Sequence, residues 1–347
     1  MQNLPAPYCT LVSGTVKPTQ MPADDRHADA WHQWSNTEVA ACVHAWASGR
    51  PLLVRGEAGC GKSQLARALA ALLGVGLITE TIHPRYEATD LLYREDPVKR
   101  LAQAQLLAAI KPEAQSGIDA MAWLNGQLNP NQFIDQGPIW RAMTSAVPTG
   151  EGRDHKAWPR SVVLIDEIDK ADSDIPNALL DVLGNRSFTV HPTGATVSCN
   201  DDHRPLIVIT TNEDRELPPA FVRRCAVLNL KPDDATEATF TAWLIARARA
   251  HTSLQPLDGD ASSPLAQAAA QVWADRTALK KLSLPTVGLA EYLDLLYSLL
   301  NLSAGNAARA SELLNQISPY ALVKQRDQNQ SRAGLNTAPA NAPAQSD

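Results

Sequence analysis

The residues Gly56-Glu57-Ala58-Gly59-Cys60-Gly61-Lys62-Ser63 carry the most pointed chemistry in this chain. They satisfy the pattern GxxxxGK(S/T) in full and lie between an apolar run, Pro51-Leu52-Leu53-Val54, and a helix-forming stretch that ends at Gly74. Glycines let the backbone curl until several N–H groups face one anion, and the N-terminus of the helix that follows adds the positive end of its dipole. A loop of this kind holds a polyphosphate. Lys62 reaches the β- and γ-phosphates, and the Ser63 hydroxyl serves Mg²⁺. A glycine turn with chance neighbours would not sit between a strand and a helix in that order. Gly56, Glu57, Ala58, Gly59, Cys60, Gly61, Lys62, Ser63 and Gln64 therefore make up the candidate nucleotide-binding segment.

Three further groups belong to the same chemistry. Val162-Val163-Leu164-Ile165 ends in Asp166-Glu167, which delivers two carboxylates to the end of a buried strand, where ligands of open α/β sheets bind. Asp166 suits a Mg²⁺ contact through water, and Glu167 suits polarisation of the attacking water. Ile207-Val208-Ile209-Thr210-Thr211-Asn212 puts Asn212 at the end of another strand, where an amide can hold the lytic water or the γ-phosphate. Arg223-Arg224 on a short helix would be solvated surface in an isolated subunit. In a ring, one of them can reach a neighbour's γ-phosphate and offset the charge that develops there.

The elements that must position these groups follow from local pattern. Residues 37–48 have apolar positions at helical spacing and stop at Gly49. Short apolar runs at 51–56, 75–80, 161–167, 204–212 and 226–230 read as strands, with helices at 61–74, 175–184 and 217–225 between them. Alternation of this kind predicts a parallel α/β sheet flanked by helices. Residues 187–199 read as a hairpin with Pro192-Thr193-Gly194 at its tip. Residues 85–125 mix helix and loop, and 126–160 are loop-rich. Beyond Lys231-Pro232 the pattern turns wholly helical, over 233–250, 264–275, 286–300 and 306–317. The expected organisation is an arm over 1–35, a nucleotide-binding α/β domain over 36–231, an all-α lid over 232–326 and a disordered tail over 327–347.

Bulk properties narrow the class. The 347 residues are 44% apolar with a net charge of −6, so the chain has no general attraction to nucleic acid or an anionic membrane. Five scattered cysteines, Cys9, Cys42, Cys60, Cys199 and Cys225, form no CxxC pair and argue against a disulfide framework or a zinc site. No apolar run is long enough to span a bilayer, and the first residues have no signal-peptide pattern, which together favour a reducing cytoplasm. Cys60, near Lys62 and a helix start, reads first as a small residue the loop tolerates, with a thiol of lowered pKa as the minor alternative.

Taken in order, these motifs resemble the AAA+ ATPases, and more narrowly the MoxR and dynein-related branch. The stretches that carry the resemblance are Arg50 to Ala70, Val162 to Leu183 and Arg204 to Cys225, together with the hairpin before the strand that ends in Asn212. The resemblance implies that Gly56 to Ser63 are Walker A, Asp166 and Glu167 are Walker B, and Asn212 is sensor 1. Arg224 is the arginine finger, with Arg223 as its rival. It also implies ATP and Mg²⁺ as cofactors, a hexameric homo-oligomeric ring, and remodelling of a protein partner, sometimes one with a von Willebrand A domain. The sequence departs from the pattern at sensor 2, where Thr286 follows Pro285 in place of an arginine and Lys280 or Lys281 is the available substitute. Two alternatives stand beside the motor: a slow, ATP-controlled assembly switch, and the motor subunit of a defence or nucleic-acid-directed complex.

Overall fold

The computed structural model describes residues 17–23, 29–109, 123, 125–146, 159–172, 174–199 and 204–322. The predicted tail at 327–347 and most of the predicted arm lie outside them. The described residues fall into two compact units. One holds Ser35–Arg55 and Leu65–Asn229, and the other holds Lys17–Trp34, Gly56–Gln64 and the chain from Leu230 onward.

In chain order the elements are β1 (Thr19–Met21), β2 (Ala30–His32), α1 (Asn36–Ser48), β3 (Leu52–Arg55), α2 (Lys62–Leu73), β4 (Gly76–Thr81), β5 (Tyr93–Glu95), α3 (Pro97–Ala109), β6 (Ile134–Gln136), α4 (Pro138–Thr144) and β7 (Ser161–Asp166). They continue with α5 (Asp174–Asn185), β8 (Ser187–Val190), β9 (Ala195–Ser198), β10 (Leu206–Thr211), α6 (Pro219–Val222), β11 (Ala226–Asn229), α7 (Glu237–Ala250), α8 (Pro264–Lys281), α9 (Leu289–Ser303) and α10 (Ala307–Leu322).

The first unit is built on a five-stranded parallel sheet of order β11-β3-β10-β7-β4. Its central strands are buried through their apolar runs, Leu52 to Val54, Val162 to Ile165 and Leu206 to Ile209. That is why they read as unbroken apolar runs rather than as alternation, since a parallel sheet flanked by helices has no solvent face. The register places the functional ends level. Asn229 and Thr211 stand on either side of Arg55, the last residue of β3. Ile209 stands opposite Ile165, which brings Thr210 beside Asp166. Helix α1 is fixed at its start by a capping box, in which Ser35 and Glu38 satisfy each other's backbone N–H, and at its end by Gly49 in the left-handed conformation. The hairpin β8–β9 forms as its pattern predicts.

Two features were not legible locally. Tyr93–Glu95 pairs with Ile134–Gln136, strands of three residues drawn from stretches read as mixed helix and loop. Within the predicted arm, β1 and β2 form an antiparallel ribbon, and Trp34 Nε1 donates to Thr19 Oγ1 at 2.8 Å. Three-residue strands carry too little alternation to be seen in sequence.

The second unit packs helices α7 to α10 around Phe240, Leu244, Val272, Tyr292, Leu295, Leu296 and Leu299. Phe240 is fully buried, stacked on Trp243 with ring centroids 6.0 Å apart and tilted against Trp273 at 5.6 Å. Truncating it leaves a cavity that three neighbouring helices cannot close. Phe240→Ala is therefore expected to lose about 3–5 kcal/mol of stability. The measurement is denaturant unfolding followed by tryptophan fluorescence, and a loss under about 1 kcal/mol would show that the bundle repacks.

Candidate active site

In the sheet unit the site is assembled at the C-terminal strand ends. Asp166 ends β7, and its Oδ1 accepts a hydrogen bond from the Thr210 hydroxyl. The same hydroxyl accepts from the Glu167 backbone N–H at 2.9 Å. Thr210 is fully buried in a strand of apolar residues, so its hydroxyl has few other partners, and it fixes both acids with one atom. Glu167 itself has φ 59°, in the left-handed region, so the chain turns sharply after Asp166. The Glu167 carboxylate accepts from Lys170 Nζ through Oε2 and from Asn212 Nδ2 through Oε1 at 3.5 Å. Each carboxylate oxygen has two acceptor directions, so capacity for a water remains. Asp169, 2% exposed, accepts from the Asp214 N–H at 3.0 Å and ties the turn after β7 to the loop after β10.

Asn212 thus lies against Glu167, as the placement of both at strand ends requires. Arg223 and Arg224 are exposed in the turn after α6, beyond the short helix on which they were expected. Arg224 Nη1 donates to Ala220 O at 3.1 Å, and the Arg223 carbonyl accepts from Arg50 Nη1 at 3.2 Å. Arg223 also lines a cavity of about 540 Å³ with Arg55, Thr211, Glu213, Arg215 and Leu217.

The loop Gly56 to Gln64 belongs to the second unit. Gly56 has φ 159°, and a Cβ there would stand 2.3 Å from Leu230 O. Gly59 has φ 74°, and a Cβ would press on Ala290 Cβ at 3.0 Å. Both positions demand glycine, one by space and the other by conformation as well. Lys62 opens α2, and its Nζ donates to Gly56 O and Glu57 O at 2.8 Å each. Ser63 follows it in the first turn of the helix, and Gln64 Nε2 donates to Trp31 O at 3.1 Å.

Two expectations are corrected. Cys60 is 7% exposed, and burial pushes its thiol up, outweighing the opposing Lys62 charge. It is a packed residue and not a low-pKa thiol, because the helix-start argument left out desolvation. At sensor 2, Lys280 is committed to Asp234. The cation that reaches the loop is Arg276, which sequence reasoning passed over, and it binds Glu57 through Nη2 at 2.9 Å and 2.8 Å. Once the helix runs on past residue 275, Arg276 falls on the buried stripe of α8 that runs through Leu265, Ala268, Ala269, Val272 and Leu279.

Among the described residues no group of three or more His, Cys, Asp or Glu could hold a metal ion, and no helix is long and apolar enough to cross a membrane.

A GxxxxGKS loop between β3 and α2, with an acid pair after a parallel strand two places from β3 in the sheet, is the pattern of a P-loop ATPase. The chain belongs to the AAA domain family, dynein-related subfamily, whose model matches residues 51–225, half of its length. It is similar to the denitrification regulatory protein NirQ of Pseudomonas aeruginosa, with 24% identity over 197 residues, 57% of this chain and 52% of that protein. It therefore spans about half the length of the curated relative it matches. Among solved structures it is similar to two single-residue variants of RuvB from Thermotoga maritima. Both are 14% identical, covering 82% and 80% of this chain and 66% and 67% of theirs, with TM-scores of 0.39 and 0.38.

Two outcomes follow. Thr210→Val keeps the shape but removes the hydroxyl that orients Asp166 and Glu167. ATP turnover is expected to fall about 10- to 100-fold, with nucleotide affinity changed far less, in a steady-state phosphate-release assay. Unchanged turnover would show that the acids are held by other contacts. The second concerns acid. Burial pushes the Asp234 carboxyl up, but hydrogen bonds from Lys280 and Arg276 outweigh this and hold it below its ordinary value of 3.8. The folded state then favours the ionised form. Its stabilisation is present above that value and disappears as pH falls through the lower folded value. The stability gap between wild type and Asp234→Asn, present near neutral pH, should close in acid below 3.8 when followed by circular dichroism. A gap that persists at every pH at which both fold would show that the charge is not what stabilises.

Proposed function

We propose that this chain is an ATP hydrolase of the MoxR-like type that works as a ring of like subunits, hexameric by family pattern, and uses its cycle to remodel a protein partner. The observation that carries the reading is the pair of acids at the end of β7, both oriented by Thr210, in a chain whose phosphate loop follows the strand β3 of the same sheet. The loop's N–H groups, the start of α2 and Lys62 would bind the phosphates of ATP. Ser63 and Asp166 offer the hard oxygens that Mg²⁺ prefers, and the bound ion would offset charge on the phosphate oxygens. Glu167 would hold and polarise the attacking water, with Asn212 positioning Glu167 or that water. Lys62 and an arginine from the adjoining subunit, Arg224 or Arg223, would stabilise the charge of the transition state. The exposure of both arginines supports a role in trans. A partner bearing a von Willebrand A domain, and a cytoplasmic location, fit the same reading.

One observation favours the slower switch. Thr286 stands where a sensor arginine is expected, and its hydroxyl donates to Glu57 at 3.3 Å. Rings that assemble with ATP and hold it for many minutes would support that reading over the motor.

The test is phosphate release with ATP and Mg²⁺ over a range of protein concentrations. The rate per subunit is expected to rise with concentration as rings form, and Glu167→Gln to lower it about 100-fold or more. A measurable rate that stays flat with dilution would remove both arginines from catalysis, and an active Glu167→Gln would remove Glu167.

A further inference from the structure

The strongest unexplained group lies where the phosphate loop meets the helical bundle. Arg276 is 1% exposed, yet it is an arginine in a hydrophobic core. Its two terminal nitrogens have partners from three segments, while its buried Nε has none among the described residues. Nη2 binds Glu57 at 2.9 Å and 2.8 Å and Asp234 Oδ2 at 2.9 Å. Nη1 donates to Thr286 Oγ1 at 2.9 Å and to Val287 O at 3.0 Å. Its Cζ lies 5.2 Å from the centre of the Phe240 ring. Lys280 completes the set on Asp234. Two carboxylates, Glu57 and Asp234, are therefore matched by two cations, Arg276 and Lys280.

Glu57 is the one acid between Gly56 and Gln64. Everything else about the loop favours an anion: turned N–H groups, a helix start and Lys62. A bare carboxylate beside the first glycine would repel the phosphates that the rest of the loop attracts. Glu57 is instead held at both ends, its carbonyl by Lys62 and its carboxylate by Arg276. The loop crest is fixed to the same bundle a second time, where Ala290 N donates to Gly59 O at 3.2 Å.

We propose that Arg276 is a positioning residue for the nucleotide: it neutralises Glu57 and clamps the loop in its phosphate-ready shape from outside the phosphate site. This rests on the reading of Gly56 to Ser63 as the nucleotide loop. It makes nucleotide affinity depend on a salt bridge between the loop and the helical bundle.

The experiment is a double-mutant cycle on the full chain, with Mg²⁺ and a non-hydrolysed ATP analogue titrated by calorimetry, and thermal melting of each protein without nucleotide as the check on folding. Arg276→Gln exposes the Glu57 charge and is expected to weaken binding about 10- to 100-fold. Glu57→Gln loosens the clamp but removes the opposing charge, and is expected to weaken binding clearly less than Arg276→Gln does. Arg276→Gln with Glu57→Gln together should recover most of the lost affinity, because the carboxylate that opposed the phosphates is gone. A merely structural role predicts no such recovery. If Arg276→Gln does not fold, Arg276→Lys is read in its place. It keeps the charge but not the fork, so a smaller loss with the same recovery is expected. Full affinity in the arginine variant, or a loss that Glu57→Gln leaves in place, overturns the proposal while leaving the nucleotide-loop reading intact. No binding by wild type overturns both.

Discussion

Everything at the C-terminal edge of the sheet depends on the parallel register of β3, β7 and β10. Strands that run the same way end on the same side, so the last residues of each come level whatever their order in the chain. Arg55 beside Thr211, and Thr210 beside Asp166, are consequences of that pairing. A slip of one residue in β10 would turn Thr210 away from Asp166 and put an apolar side chain against the acids. The packing of Leu206 to Ile209 and Val162 to Ile165 opposes that slip, because each buried side chain would have to leave the space it fills. The apolar character of these strands is thus part of the chemistry, although no apolar residue takes part in it.

One hydroxyl shows how tightly the arrangement is shared. Thr210 donates to the Asp166 carboxylate and accepts from the Glu167 backbone, which leaves Glu167 turned through a left-handed residue and free to meet Asn212 and Lys170. A serine would offer the same bonds with more side-chain freedom, whereas the β-branched threonine suits a strand interior and is stiff about its first torsion. The loop after β10 is drawn to the same place by Asp169.

What could be read from the sequence was what local pattern encodes. The P-loop, the acids after β7 and Asn212 after β10 all follow runs of apolar residues, and the strands at 161–166 and 206–211 appear within a residue or two of their expected bounds. The four bundle helices were visible in the same way, though α8 runs on to Lys281. What escaped depends on partners far apart in the chain. Pairing of residue 93 with residue 136 has no local signature. The polar Thr210 passed as one more strand residue, since its importance comes from a neighbour 44 positions away. Arg276 fell just beyond the helix expected over 264–275, and only the longer α8 puts it on a buried face. Cys60 was read from its chain neighbours alone, and burial reversed the expected sign.

The closeness of Gly59 to Ala290 has a consequence for how this sequence can change over time. A Cβ added at 59 would stand 3.0 Å from that of Ala290, so the space between loop and helix α9 suits a glycine. Glycine at 59 is therefore held in place partly by an alanine more than two hundred positions later, and a side chain at 59 would press on that helix. Residue 59 is a site where drift is restricted from the bundle side, by a side chain with no chemistry of its own.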